Sequence, residues 1–173
     1  MGESFITVMA IALAAVLMFV FPMMTIADRN DDISQLSIQT ATTEFVNDIR
    51  TTGTLSEDKY DQFIQNIAST GNTYEVEMEI QILDENTSKV SQAEMTKIGE
   101  NTYYSLYTSQ INEKLAGDRK IALKEGDIIS VSVKNTNETI SQSLKNFFYK
   151  IAGNDTYQIA AKHSGIVTVN GAK

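Results

Sequence analysis

Cysteine and tryptophan are missing from these 173 residues, and histidine and proline occur once each. Without Cys there is no disulfide, no thiolate nucleophile and no thiolate metal site. A single His, at position 163, excludes any site that needs two imidazoles. Cations are scarce as well: 14 Lys and Arg stand against 22 Asp and Glu, a formal charge of −8. Such a chain lacks the basic footprint of a nucleic-acid binder. The two common phosphate-cradling patterns, G-x-x-x-x-G-K-[ST] and G-x-G-x-x-G, are missing too. No repeat, Pro-rich linker or low-complexity tract interrupts the chain. The expectation is therefore no cofactor, no nucleic acid and no small-molecule substrate.

What the sequence does have is a long apolar start. Phe5 to Ala27 reads FITVMAIALAAVLMFVFPMMTIA, 23 residues without a charge. As a helix it covers roughly 30–35 Å, the hydrocarbon thickness of a bilayer. It is apolar on every side, so it wants lipid or other apolar helices around it. A secretory signal peptide competes, with Thr25-Ile26-Ala27 as a poor cleavage site, but Met1 to Ser4 supply no basic n-region. A buried soluble helix competes less well, because the run is too long. Gly2 does not fit myristoylation, since Ile6 stands where Ser or Thr is required. After the span, Asp28-Arg29-Asn30-Asp31-Asp32 offers one cation. Few cations hold that side in the cytoplasm, so the N-terminus is expected inside and the body outside.

The division expected is residues 1–27 as membrane-spanning helix and 28–173 as an extracytoplasmic α+β head, with 28–52 a helical stalk continuous with the anchor. Ile38, Ala41, Phe45 and Ile49 form one stripe, with Val46 at its edge and Ile33 and Leu36 off it. No Gly or Pro breaks Ala27 to Thr52, which predicts one helix of about 45 residues ended by Gly53. Thr54 to Glu57 has capping-box form, ahead of a helix carrying Tyr60, Phe63, Ile64 and Ile67 and closed by Gly71. Tyr74, Val76, Met78, Ile80 and Ile82 alternate with Glu75, Glu77, Glu79 and Gln81, the pattern of an antiparallel strand with one wet face. Asp84 to Ala93 reads as a polar loop. Tyr104, Tyr107, Ile111 and Leu115 predict a third helix ending at Gly117. Arg119–Leu123 and Asp127–Val133 predict two strands joined by a hairpin-type loop at Lys124-Glu125-Gly126. Ile140, Leu144, Phe147 and Ile151 predict a fourth helix, and Thr156–Val169 one or two strands bent at Ser164-Gly165. The fold class is thus α+β, a long helix packed on a small antiparallel sheet of about four strands with additional helices.

Few residues point to chemistry. His163 lies in a polar strand region and reads as a solvated surface residue. Glu75, Glu77 and Glu79, about 7 Å apart on one strand face, have the chemistry to hold a divalent cation but read as a wet face paired with Lys120 or Lys134. Asp28 to Asp32 starts like a calcium loop, yet Ile33 replaces the turn Gly and Gln39 the bidentate Glu. Tyr103, Tyr104 and Tyr107 read as core and rim of a helix rather than as a stacking platform. Three Asn-x-Thr/Ser triplets, at Asn86, Asn137 and Asn154, read as chance. Charge is uneven: residues 28–85 carry 13 acidic and 3 basic residues, whereas 86–173 carry 8 acidic and 11 basic. Internal pairing accounts for this, and head-to-tail assembly of copies is the alternative.

Gly2-Glu3-Ser4-Phe5, the span Phe5–Ala27 and the stalk to Thr52, set before a small antiparallel α+β head, resemble the type IV pilin family. The resemblance is closest to the TadE-like minor pilins (pseudopilins) of tight-adherence pilus systems. It implies a non-enzymatic subunit of a surface pilus or secretion-type filament. It implies that Gly2 precedes a processed N-terminus and that Glu3 pairs with a neighbour's amine; here Glu3 follows Gly2 directly. The expected partners are membrane lipid, self or other pilin-like subunits, and the pilus assembly machinery. Candidate assembly and processing residues are Gly2, Glu3, Phe5 and Pro22, the last removing a helix hydrogen bond late in the span so that a kink or melted turn is expected there. The alternative is a single-pass anchored extracytoplasmic binding module that does not polymerise. A hydrolase using carboxylates is a third reading.

Overall fold

A computed structural model of the chain describes residues 2–83, 103–143, 145–146 and 158–171. One α-helix, α1, runs unbroken over Gly2–Thr52, 51 residues, or about 76 Å. It passes through Pro22 without a melted turn. At Gly53 φ turns to +63° and the Gly53 N–H bonds the Ile49 carbonyl. Gly53 has a second reason to be glycine: a Cβ there would overlap the backbone of Val169 and Gly171, which crosses the helix end.

Then follow β1 Thr54–Ser56, α2 Glu57–Ala68, β2 Tyr74–Leu83, β3 Tyr103–Tyr107, α3 Thr108–Asp118, β4 Lys120–Ala122, β5 Ile128–Asn135 and β6 Ala160–Ile166. Residues 140–143 are also helical. The described strands form two antiparallel sheets, β1-β4 and β3-β2-β5-β6. The alternation of β2 holds: Met78 and Ile80 are buried, with Val76 and Ile82 partly so, while Glu75 and Glu77 are exposed on the opposite face.

The inner face of the larger sheet carries Met78, Ile80, Ile129, Val131 and Val133. It meets the predicted stripe of α1, where Ile38, Phe45, Val46 and Ile49 are buried and Ile33 and Leu36 are not. Phe63 of α2 stacks on Phe45 with ring centroids 4.3 Å apart, and Ile111 and Leu115 of α3 join the same core. Each such aliphatic side chain contributes about 1.5–3 kcal/mol by leaving water.

Several local expectations are corrected. Thr54–Ser56 is a strand, because Leu55 turns into the core and pairs with Ile121, so Ser56 rather than Thr54 caps α2, its hydroxyl accepting from the Lys59 N–H. Tyr103, Tyr104 and Tyr107 are strand, not helix: Tyr104 and Leu106 pair with Ile82 and Ile80, and α3 begins only at Thr108. That helix continues past Gly117, and Arg119 takes the left-handed conformation at φ 57°, held by bonds from its N–H to Leu115 and from Glu57 N–H to its carbonyl. The segment 124–126 does not join a hairpin. Asp127, 2% exposed, accepts from the N–H groups of Lys124 and Leu83, and this turn passes the chain from the small sheet to the large one.

Ser164-Gly165 forms no bulge, as β6 pairs in continuous register with β5. Ile140 is 62% exposed, while Ser141 and Gln142 turn inward. Leu144, Phe147 and Ile151, like the polar loop of 84–93, lie outside the described residues.

Candidate membrane anchor and its collar

Helix α1 is two helices in one. From Gly2 to Phe19 every residue is exposed, and none of the helix's most apolar 18-residue window, of mean hydropathy 2.6, is buried. Phe5, Ile11, Leu13, Phe19 and Phe21 project with more than half their surface open. The first buried residue is Asp31. The bare part, residues 2–27, measures about 39 Å, enough to cross a bilayer. Both threonine hydroxyls within it are internally satisfied: Thr7 bonds the Glu3 carbonyl at 2.8 Å and Thr25 the Phe21 carbonyl at 3.0 Å.

Gly2, Glu3, Phe5 and Pro22 all fall on this bare part. They do not form a cluster: Glu3 and Pro22 are about 28 Å apart along the axis. All four are exposed.

Where the apolar run ends, a polar collar begins. It joins α1 to the segment 137–146 and to the turn before β2. Asp28 Oδ1 lies 2.9 Å from Lys145 Nζ and also accepts from the Ser141 hydroxyl. The Ser141 hydrogen bond first, and Lys145 second, hold the Asp28 carboxyl below the usual Asp value. One turn on, Asp31 Oδ2 accepts from the Thr139 hydroxyl at 2.8 Å. Ser34 accepts from Asn72, and Asn72 in turn accepts from Asn137 at 3.0 Å. Asp28 to Asp32 is therefore helical and fastened to the head, not a loop. Sequence reasoning missed the collar because the partners of Asp28 and Asp31 lie more than a hundred residues away and that of Ser34 lies 38 away. The only local signal was a run of acidic residues placed directly after an apolar span.

The other candidates disperse. Glu75 and Glu77 lie beside β5, where Lys134 Nζ stands 3.8 Å from Glu77 Oε2, whereas Lys120 belongs to the other sheet. Glu79 accepts from Ser105 at 2.7 Å and from Gln81, and these bonds hold its carboxyl below the usual Glu value, with Lys162 adding to the effect. His163 is half-buried on the inner face of β6 rather than solvated, in a cleft with Gln39, Thr42 and Thr43 of α1. No Ser or carboxylate is hydrogen-bonded to it among the described residues. Among those residues no group of three or more His, Cys, Asp or Glu is arranged to hold a metal ion.

No family model, no curated protein and no solved structure matches the chain.

Proposed function

We propose that this chain is a non-enzymatic, pilin-like structural subunit of the TadE-like kind. Phe5–Ala27 holds it in the cell membrane with the head outside, and copies or related subunits assemble through that helix into a surface pilus or secretion-type filament. One observation carries the proposal: a single continuous helix supplies the head's core with one half, while the other half, uncharged from Phe5 to Ala27, has no buried residue.

Bare apolar surface of that extent is not stable in water. A helix satisfies its own backbone in lipid, so it inserts readily, and within a membrane or a filament its neighbours are lipid or sibling helices. Glu3 at the edge of the span costs a few kcal/mol if drawn into the apolar layer alone, and a neighbour's cation offsets that cost. Glu3 thereby sets register while apolar packing supplies affinity. Pro22 removes one hydrogen bond in the span and eases bending where staggered helices pack. The scarcity of Lys and Arg behind the span, where Arg29 is followed next by Arg50, favours an external head.

The test uses the chain's lack of Cys. Single cysteines placed in turn from Met9 to Phe19 are oxidised in intact cells. The proposal predicts ladders of cross-linked multimers at positions three or four apart, lost in Glu3→Ala. Monomer at every position would leave the non-polymerising anchored module as the better account.

A further inference from the structure

We infer that the cleft at the foot of the head binds the ammonium of an ethanolamine-type lipid headgroup, with Asp31 as its counter-ion. The inference rests on the anchor proposed above and adds a lipid specificity to it. A cavity of about 550 Å³ opens between α1, the turn before β2 and residues 139–141. Asp31, 3% exposed, lines it. The carboxylate has one bond among the described residues, from Thr139 to Oδ2. Among the described residues no Lys or Arg lines the cavity, whereas Ser34, Ser37, Ser69 and Thr70 do. A buried carboxylate with one hydrogen bond, in a cleft that also carries hydroxyls, suits a cation that donates hydrogen bonds. A primary ammonium has three N–H donors, and the quaternary ammonium of choline has none.

Position supplies the source. Asp31 lies four residues beyond Ala27, about 6 Å up the axis. Headgroups occupy roughly that depth outside the hydrocarbon layer. The cleft's rim carries Ile33 and Ile140, each 62% exposed, which are apolar side chains suited to the interface and unsuited to open water.

The full chain is reconstituted in bilayers of equal parts phosphatidylethanolamine and phosphatidylcholine, then extracted in mild detergent, and the co-purifying lipid is quantified by mass spectrometry. About tenfold enrichment of the ethanolamine lipid is expected. With N-methyl and N,N-dimethyl headgroups in its place, enrichment should fall stepwise. Asp31→Asn should return the ratio to that of the bilayer while the chain still resists alkaline carbonate. A bulk ratio in the unmodified chain, or full enrichment in Asp31→Asn, overturns the site while leaving the anchor standing. The methylation series uses the unmodified chain, so its result does not depend on the variant folding. A chain released by carbonate would overturn the anchor and this site together, and is recognised as a different result.

Discussion

Gln35 of α1 takes the place of a neighbouring strand at Ala160. Its Nε2 donates to the Ala160 carbonyl at 2.6 Å, and its Oε1 accepts from the Ala160 N–H at 3.0 Å. At the far end of the same strand, Arg50 Nε donates to the Ile166 carbonyl at 2.9 Å. The outer edge of β6 is thus closed at both ends by one helix, where an open edge would invite pairing with another chain. The stalk is consequently tied to the head by polar bonds as well as by its buried stripe.

Gln35→Leu should destabilise the head by about 2 kcal/mol, the combined effect of two lost backbone bonds. Gln35→Glu keeps the acceptor but sets a carboxylate oxygen against the Ala160 carbonyl, so it should cost at least as much. Denaturant unfolding of the full chain in detergent, followed by circular dichroism, gives both values. No change in either variant would mean that the edge is closed by packing alone.

A Cβ on Gly165 would overlap Arg50 Cδ and Nε, so Arg50 would have to leave its bonds to Ile166 and Asn47. Gly165→Ala should cost about 1–3 kcal/mol by overpacking. Added to Arg50→Ala, the same change should cost much less, since the obstruction is gone. The double-mutant cycle reads this coupling directly, and additive costs would contradict it.

Phe63 stacks on Phe45 with an interplanar angle of 8°, and both rings are buried. Phe63→Ala should cost about 3–5 kcal/mol by leaving a cavity between α1 and α2. Thermal unfolding of the full chain in detergent measures it, and a cost under about 1 kcal/mol would show that the two helices do not share a packed core.

Acid sensitivity has a definite sign. The Asp28 and Glu79 carboxyls both titrate lower in the folded chain than their ordinary values, chiefly through hydrogen bonds from Ser141 and Ser105. The unfolded chain therefore takes up protons first as pH falls. Their contribution is complete above the ordinary carboxylate range, near pH 4, and is lost as pH drops through the folded values. Ser141→Ala and Ser105→Ala should each raise the carboxyl they serve, as read by carboxyl NMR titration, and should flatten the loss of stability between about pH 5 and 3. Unchanged titration would remove the two serines as the cause.

Legibility divided along the range of the forces. The stripe of α1, its end at Gly53 and the alternation of β2 were readable because periodicity and a turn-forming glycine are local properties. Tyr103–Tyr107 misled because spacings of three and four toward Ile111 and Leu115 imitate a helix, while pairing with β2, settled more than twenty residues upstream, makes the segment a strand. Arg119 took a conformation that sequence assigns to glycine because two backbone bonds hold it there. On the candidate site, the bare helix was legible from its composition. The collar was not, since Asp28 meets Ser141 and Lys145 only after the chain has folded back across the sheet.

Alkaline carbonate extraction of native membranes, with N-terminal sequencing of the recovered chain, bears most directly on the proposed role. The account predicts a product that still carries Phe5–Ala27 and stays in the pellet with membrane or filament. A product that starts at Asp28 and appears wholly in the supernatant would contradict it.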